Sequence, residues 1–168
     1  PIGLYKNMIA DYEKGNVSYK NVTSYNLDEY VGLDTKNDQS YAYFMKENLF
    51  SHIDIDLKNT HLPDGMANDI NESCDKYNKM LKNAEIDVQI LGIGGNGHIA
   101  FNEPGTPFDS GTHIIYLTEK TISDNARFFA SIKDVPTRAI SMGISNIMAA
   151  KSIILLASGA NKADAVYA

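Results

Sequence analysis

The stretch DVQILGIGGNGHIAFNEP, Asp87 to Pro104, runs from an almost continuous apolar segment into a glycine-rich turn. The apolar part, DVQILGI, has the length and composition of a strand buried on both faces of a parallel sheet. Gly92, Gly94 and Gly97 then stand at the spacing G-x-G-x-x-G, which is also the spacing of a dinucleotide-binding turn. Such a turn must lead straight into a long helix whose N-terminus faces the pyrophosphate. Here Pro104 and Pro107 stop helix growth within a few residues and disfavour helical geometry at Glu103 and Thr106. The glycines are better used to let backbone pass close to a ligand, or to take positive φ, so that Asn96 and His98 are presented at the top of a sheet.

Outward from this stretch, short β-branched runs alternate with helical patterns. VTSYNL (Val22 to Leu27), THIIYLT, RAISMGI and SIILLAS read as further strands. Leu4, Tyr5, Met8, Ile9 and Tyr12 recur at helical spacing between Pro1 and Gly15. Gln39 to Phe50 reads as a helix with Tyr43, Phe44 and Phe50 on its core side, and Asp69 with Glu72 forms a capping-box pattern opening a helix through Lys82. Further helices are expected near Thr121 to Ala130, Ile144 to Ala150 and from Asn161. This alternation predicts an α/β fold, a Rossmann-like open and mainly parallel sheet with helices on both faces, in one domain spanning residues 1–168. The chain opens without methionine and stops inside a helical pattern, so it is expected to be truncated at both ends.

In such a sheet, reactive groups gather at the carboxyl ends of strands. Two loops qualify, one after VTSYNL with Asp28 and Glu29, the other after DVQILGI with Asn96, His98 and Glu103. His98 is singled out because it sits in the glycine loop five residues before a carboxylate held by a proline; His52, His61 and His113 read as surface or satisfied core residues. Asp28 is either a candidate base or a turn cap, and Glu29 reads as the cap. The acids Asp34, Asp38, Asp54 and Asp56 read as solvated, and one histidine in the loop is too few for a metal site, so no metal is expected.

Fifteen Lys and Arg against twenty-one Asp and Glu give a net charge of -6, which offers no field for a nucleic acid. Cys74 is the only cysteine and reads as structural, and no segment resembles a signal peptide or a membrane span. A cytoplasmic protein with neither nucleic-acid nor membrane partners is the expectation.

NLDEYVGL at Asn26 to Leu33, GIGGNGHIAFNEPG at Gly92 to Gly105 and ARFF at Ala126 to Phe129 together resemble the signature segments of the glucosamine-6-phosphate deaminases, and the resemblance runs along the whole chain. It implies isomerisation and deamination of glucosamine 6-phosphate to fructose 6-phosphate and ammonia, in amino-sugar catabolism and without a cofactor. It implies that Asp28 moves the carbon 2 proton, that His98 opens the ring, and that Glu103 orients His98. Asn96 occupies a position where many members carry aspartate, which shifts electrostatic work to Glu103. Gly94, Gly95 and Gly97 become substrate-binding backbone, and Arg127 a phosphate clamp whose planar fork suits phosphate oxygens. PIGLY resembles the close of the family's phosphate-binding loop, whose earlier part is absent, as is the later segment that supplies a phosphate-binding lysine.

Two other classes remain as alternatives: the related 6-phosphogluconolactonases, whose loop typically continues toward an S-L-F-P-like sequence where this chain has FNEP, and a sugar-phosphate sensor lacking catalysis. The segment Ser110 to Leu117 reads SGTHIIYL where activator-regulated members resemble S-R-T-R-x-K-x-L. A monomer that ignores N-acetylglucosamine 6-phosphate is therefore expected.

Overall fold

A computed structural model describes residues 1–167. Helix α1 (Ile2–Glu13) half-buries the spaced residues Leu4, Tyr5, Met8, Ile9 and Tyr12, and Gly15 follows it at φ +73°. The VTSYNL run is not one strand. Its middle forms β1 (Ser24–Tyr25), the chain bends at Asn26 and Leu27, and β2 (Asp28–Tyr30) follows at once. Asp28 and Glu29, expected in a loop, therefore lie in a strand. Helix α2 (Tyr41–Asn48) begins where the Ser40 hydroxyl accepts the Tyr43 N–H at 3.0 Å. Its deepest residues are Met45 and, just beyond its end, Leu49 and Phe50; they form a cluster with Ile55 against which Tyr5, Met8, Ile9 and Phe44 pack.

Strand β3 (Thr60–His61) pairs in parallel with β1. Helix α3 (Ile70–Lys82) starts at Asp69, whose side chain accepts the Glu72 N–H at 3.1 Å as the capping pattern requires. The Glu72 carboxylate meets Lys76 at 2.9 Å on the exposed side. The opposite face buries Ser73, Cys74, Tyr77 and Leu81, at the spacing of one helix stripe.

Strands β4 (Val88–Leu91), β5 (His113–Tyr116), β6 (Arg138–Ser141) and β7 (Ser152–Leu155) complete the sheets, with α4 (Glu119–Asn125), α5 (Ile144–Met148) and α6 (Ala163–Tyr167) between and after them. The α/β class stands, with parallel ladders β1–β3 and β4–β7. The order β2-β6-β5 departs from the parallel expectation, because both of its ladders are antiparallel. Strand β4 buries Gln89 and Leu91 but leaves Val88 exposed, and β7 is exposed along its length. The run expected to be buried on both faces is thus buried only in part.

A second core joins Tyr77 and Leu81 of α3, Leu91 of β4, Met142 after β6 and Ile147 of α5. Leu27 packs against it, and the Leu27 carbonyl accepts the Met142 N–H at 2.7 Å. This core fixes the carboxyl end of β4 beside the end of β6, and the glycine turn starts from there.

Candidate active site

No helix follows the glycine turn; the next regular element after β4 is β5. The dinucleotide reading fails for the structural reason that the prolines predict. The turn closes on itself instead: Gly94 N–H donates to the His98 carbonyl at 2.8 Å and Gly97 N–H to the Gly94 carbonyl at 3.1 Å. Gly97 has φ +91°, and a Cβ built on Gly94 would collide with the His98 ring. The histidine lies directly on glycine backbone, so the glycine is required by the ring that covers it. Gly95 has open space around it, which leaves its backbone accessible to a ligand.

The Asn96 side chain organises the turn. Its Oδ1 accepts the His98 N–H at 3.2 Å, and its Nδ2 donates to Glu103 Oε2 at 2.6 Å. The direct contact between Glu103 and the His98 ring implied by the resemblance is not among the contacts of the described residues; the carboxylate reaches the histidine segment through Asn96. An amide suits this place because it can donate to a carboxylate and accept from an amide N–H at once, whereas an ionised aspartate could only accept.

What brings Asp28 to this turn is β6. Asp28 stands opposite Ser141 in the antiparallel register. The fully buried Ser141 accepts at Oγ from the Phe101 N–H at 3.2 Å and from Asn102 Nδ2 at 3.3 Å. Asn102 Nδ2 also meets the Met142 carbonyl at 2.8 Å. The FNEP segment is thereby fastened to the strand beside the Asp28 strand. Nothing in the sequence singles out Ser141 or Asn102 for this task.

An aromatic cluster adds the remaining elements. Tyr30 stacks on Tyr41 with centroids 5.5 Å apart, tilts against Phe101 at 5.7 Å and takes the edge of Phe129 at 6.3 Å. The Tyr30 hydroxyl also accepts from Asn125 Nδ2 at 3.0 Å. Asn125 and Phe129 flank Arg127, so the arginine segment, a tight turn after α4, is held against β2. Arg127 itself is exposed, its guanidinium resting over the Phe128 ring at 4.6 Å.

Asp28 is half-buried, and burial, with the charge of Glu29 adding to it, pushes its carboxyl up to about 7. A carboxylate of that strength can both take and return a proton near neutral pH. Glu29 is the cap that its sequence suggests, though of a helix: its oxygens accept the N–H groups of Tyr41 and Ala42 at the start of α2. Of the remaining histidines, His61 stacks on Tyr25 at 4.9 Å and His113 bonds its own segment at the Gly111 carbonyl. Among the described residues, no group of three His, Cys, Asp or Glu stands close enough to hold a metal ion.

The family model described as glucosamine-6-phosphate isomerases/6-phosphogluconolactonase matches residues 1–168. The chain belongs to that family. It is 54% identical over 168 residues to the glucosamine-6-phosphate deaminase of Clostridium novyi (strain NT), the match covering 99% of this chain and 70% of that protein. Against the glucosamine-6-phosphate deaminase of Clostridioides difficile (strain 630) the identity is 55%, covering 99% and 68%. The solved structure of a monomeric glucosamine-6-phosphate deaminase superposes with a TM-score of 0.95 at 44% identity, over 99% of this chain and 70% of that one. The 6-phosphogluconolactonase of Thermotoga maritima superposes at 0.74 with 18% identity, over 99% and 69%, and shares the fold alone.

Proposed function

We propose that the chain carries the catalytic site of a glucosamine-6-phosphate deaminase, converting glucosamine 6-phosphate to fructose 6-phosphate and ammonia. Identity of 54% and 55% to two deaminases supports the reaction. The observation that carries the assignment to residues is the Ser141 junction, which sets the Asp28 strand beside the FNEP segment.

The chemistry follows from the groups present. His98 moves a proton between the anomeric hydroxyl and the ring oxygen, which opens the sugar. From the open aldehyde, its amino group protonated, Asp28 takes the carbon 2 proton while an ammonium proton passes to the carbonyl oxygen, leaving an enolamine with a hydroxyl on carbon 1, and Asp28 returns its proton to carbon 1. The product is a ketose iminium; water adds to carbon 2 and ammonia leaves. Electrons and protons balance without a redox group, so no cofactor enters. Asn96 and Glu103 hold the turn that carries His98, and of its glycines Gly95 leaves accessible backbone to border the sugar, while Gly94 and Gly97 bond within the turn. Arg127, exposed and held by its aromatic neighbours, takes phosphate oxygens.

The chain acts as a monomer in this reading, as does the solved deaminase that superposes at a TM-score of 0.95. Among the described residues no helix is long and apolar enough to cross a membrane. A phosphorylated substrate, which does not cross bilayers, is in keeping with the cytoplasmic location of this reading. The test is ammonia release coupled to fructose 6-phosphate formation from glucosamine 6-phosphate, with 6-phosphogluconolactone as the comparison substrate. Ammonia is expected; hydrolysis of the lactone in its place would reject the reading.

A further inference from the structure

Glu29 is an acid in a costly place. It is 3% exposed, and no cation pairs with it among the described residues. Burying a carboxylate without a cation is strongly unfavourable unless hydrogen bonds replace water. Here three do: Oε1 accepts the N–H groups of Tyr30 at 2.8 Å and Tyr41 at 3.0 Å, and Oε2 accepts that of Ala42 at 2.9 Å. Tyr41 and Ala42 are the first two residues of α2, where backbone donors have no partner within the helix and negative charge is favoured. Burial pushes the Glu29 carboxyl above its ordinary value, and the three backbone donors work against that push in favour of the charged form.

A helix end does not need a buried glutamate for this. Ser40 caps α2 through the Tyr43 N–H, and Glu29 takes the two N–H groups that Ser40 does not reach, those of Tyr41 and Ala42; a neutral acceptor would serve them as well. What Glu29 adds is location: it is the residue next to Asp28, and alternation along β2 turns the two carboxylates to different faces. Glu29 therefore stands behind the base, away from the sugar.

We propose that Glu29 is a positioning residue of the deamination, clamped by α2 so that a fixed negative charge lies behind Asp28 and keeps it a strong base. The inference rests on Asp28 being the proton-transferring group. Burial accounts for most of the upward push on the Asp28 carboxyl, and Glu29 for the charge part. The other groups acting with Asp28 are the hydroxyls of Tyr30 on β2, Tyr41 on α2 and Tyr77 on α3, all held above the ordinary tyrosine value and hence neutral. On β6 the facing residue is the uncharged Ser141, and His113 of β5 stands one strand further in the same row.

The experiment follows the Asp28 side-chain carboxyl by carbon-13 NMR across pH in the wild type, Glu29→Gln and Glu29→Asp, and measures kcat and KM with glucosamine 6-phosphate on the same samples. In Glu29→Gln the Asp28 midpoint should fall toward the ordinary carboxylate range, and kcat at its plateau should drop roughly tenfold with KM little changed. Glu29→Asp keeps the charge and should retain both the raised midpoint and most of kcat. An unmoved Asp28 midpoint in a folded Gln variant overturns the proposal. If that variant does not fold, an Asp28 midpoint in the ordinary range in the wild type, or in Glu29→Asp, overturns it equally. A wild type that releases no ammonia rejects the deaminase reading instead, whereas an active wild type whose Gln variant is equally active rejects only the role of Glu29.

Discussion

Asp28, the proposed base, is where activity and stability would meet in one residue. Its carboxyl is pushed from the ordinary 3.8 up to about 7, first by burial and then by Glu29. The folded state therefore favours the protonated form, so this contribution to stability is complete below the unfolded value and is lost as pH rises through about 7. Asp28→Asn cannot ionise and should melt about 4 °C above the wild type at pH 8, with the gap closing toward pH 4. The same variant should lose ammonia release while still binding fructose 6-phosphate, because an amide keeps the shape and takes no proton. Thermal melts at the two pH values and a binding titration check both; an equal gap at both pH values would reject the assigned ionisation. For His98→Gln the loss should fall on the cyclic substrate and spare an open-chain analogue, since ring opening alone is impaired. Gly94→Ala would drive a methyl into the His98 ring, and ammonia release should fall at least tenfold while the circular dichroism spectrum is kept.

Among the elements, α2 is where the site meets the scaffold. Ser40 is 1% exposed and holds the helix start by accepting from Tyr43 and donating to the Asn37 carbonyl at 2.9 Å. Ser40→Ala should cost about 1 to 2 kcal/mol in denaturant unfolding, and a variant as stable as the wild type would show that Glu29 alone secures that end. The sequence makes some elements plain. Asp69 before an apolar stripe is a local signal, and so are prolines that forbid a helix after the glycine turn. It hides others, since a three-residue strand such as β2 has no periodicity to read, and what makes it a strand is pairing with residues far along the chain. The same reasoning applies to the site. His98, Asn96 and Glu103 are legible because they share one loop, whereas Ser141 and the Tyr30 aromatic cluster act only through contacts between distant segments. The antiparallel β5–β6 pairing was hidden for that reason too: strand spacing does not specify direction.

For the molecule as a whole, the segment Ser110 to Leu117 is committed to internal bonding. The Ser110 carbonyl accepts from both the backbone and the hydroxyl of Ser145, Thr112 exchanges bonds with Asn78, and His113 bonds to Gly111. Its remaining residues form β5 against β6. With no fixed charge there for a second phosphate, this segment supplies no difference in binding between two states of the protein, and without such a difference no shift in population follows from it. Initial rates should therefore be hyperbolic in glucosamine 6-phosphate and unchanged by N-acetylglucosamine 6-phosphate, and sedimentation should report a monomer. A sigmoidal curve that the acetylated sugar makes hyperbolic would reject this.

The pairing of Asp28 with Ser141 also has a consequence in time. These residues are 113 positions apart, the difference between 141 and 28. A ribosome adding about 5 to 20 residues per second needs several seconds to travel from one to the other. Throughout that interval the Asp28 strand has no β6 to pair with, and the FNEP segment has no Ser141 to hold it. The proposed site thus waits for Ser141, and synthesis arrested between Pro104 and Ser141 should yield intermediates that already contain helices yet cannot turn over sugar.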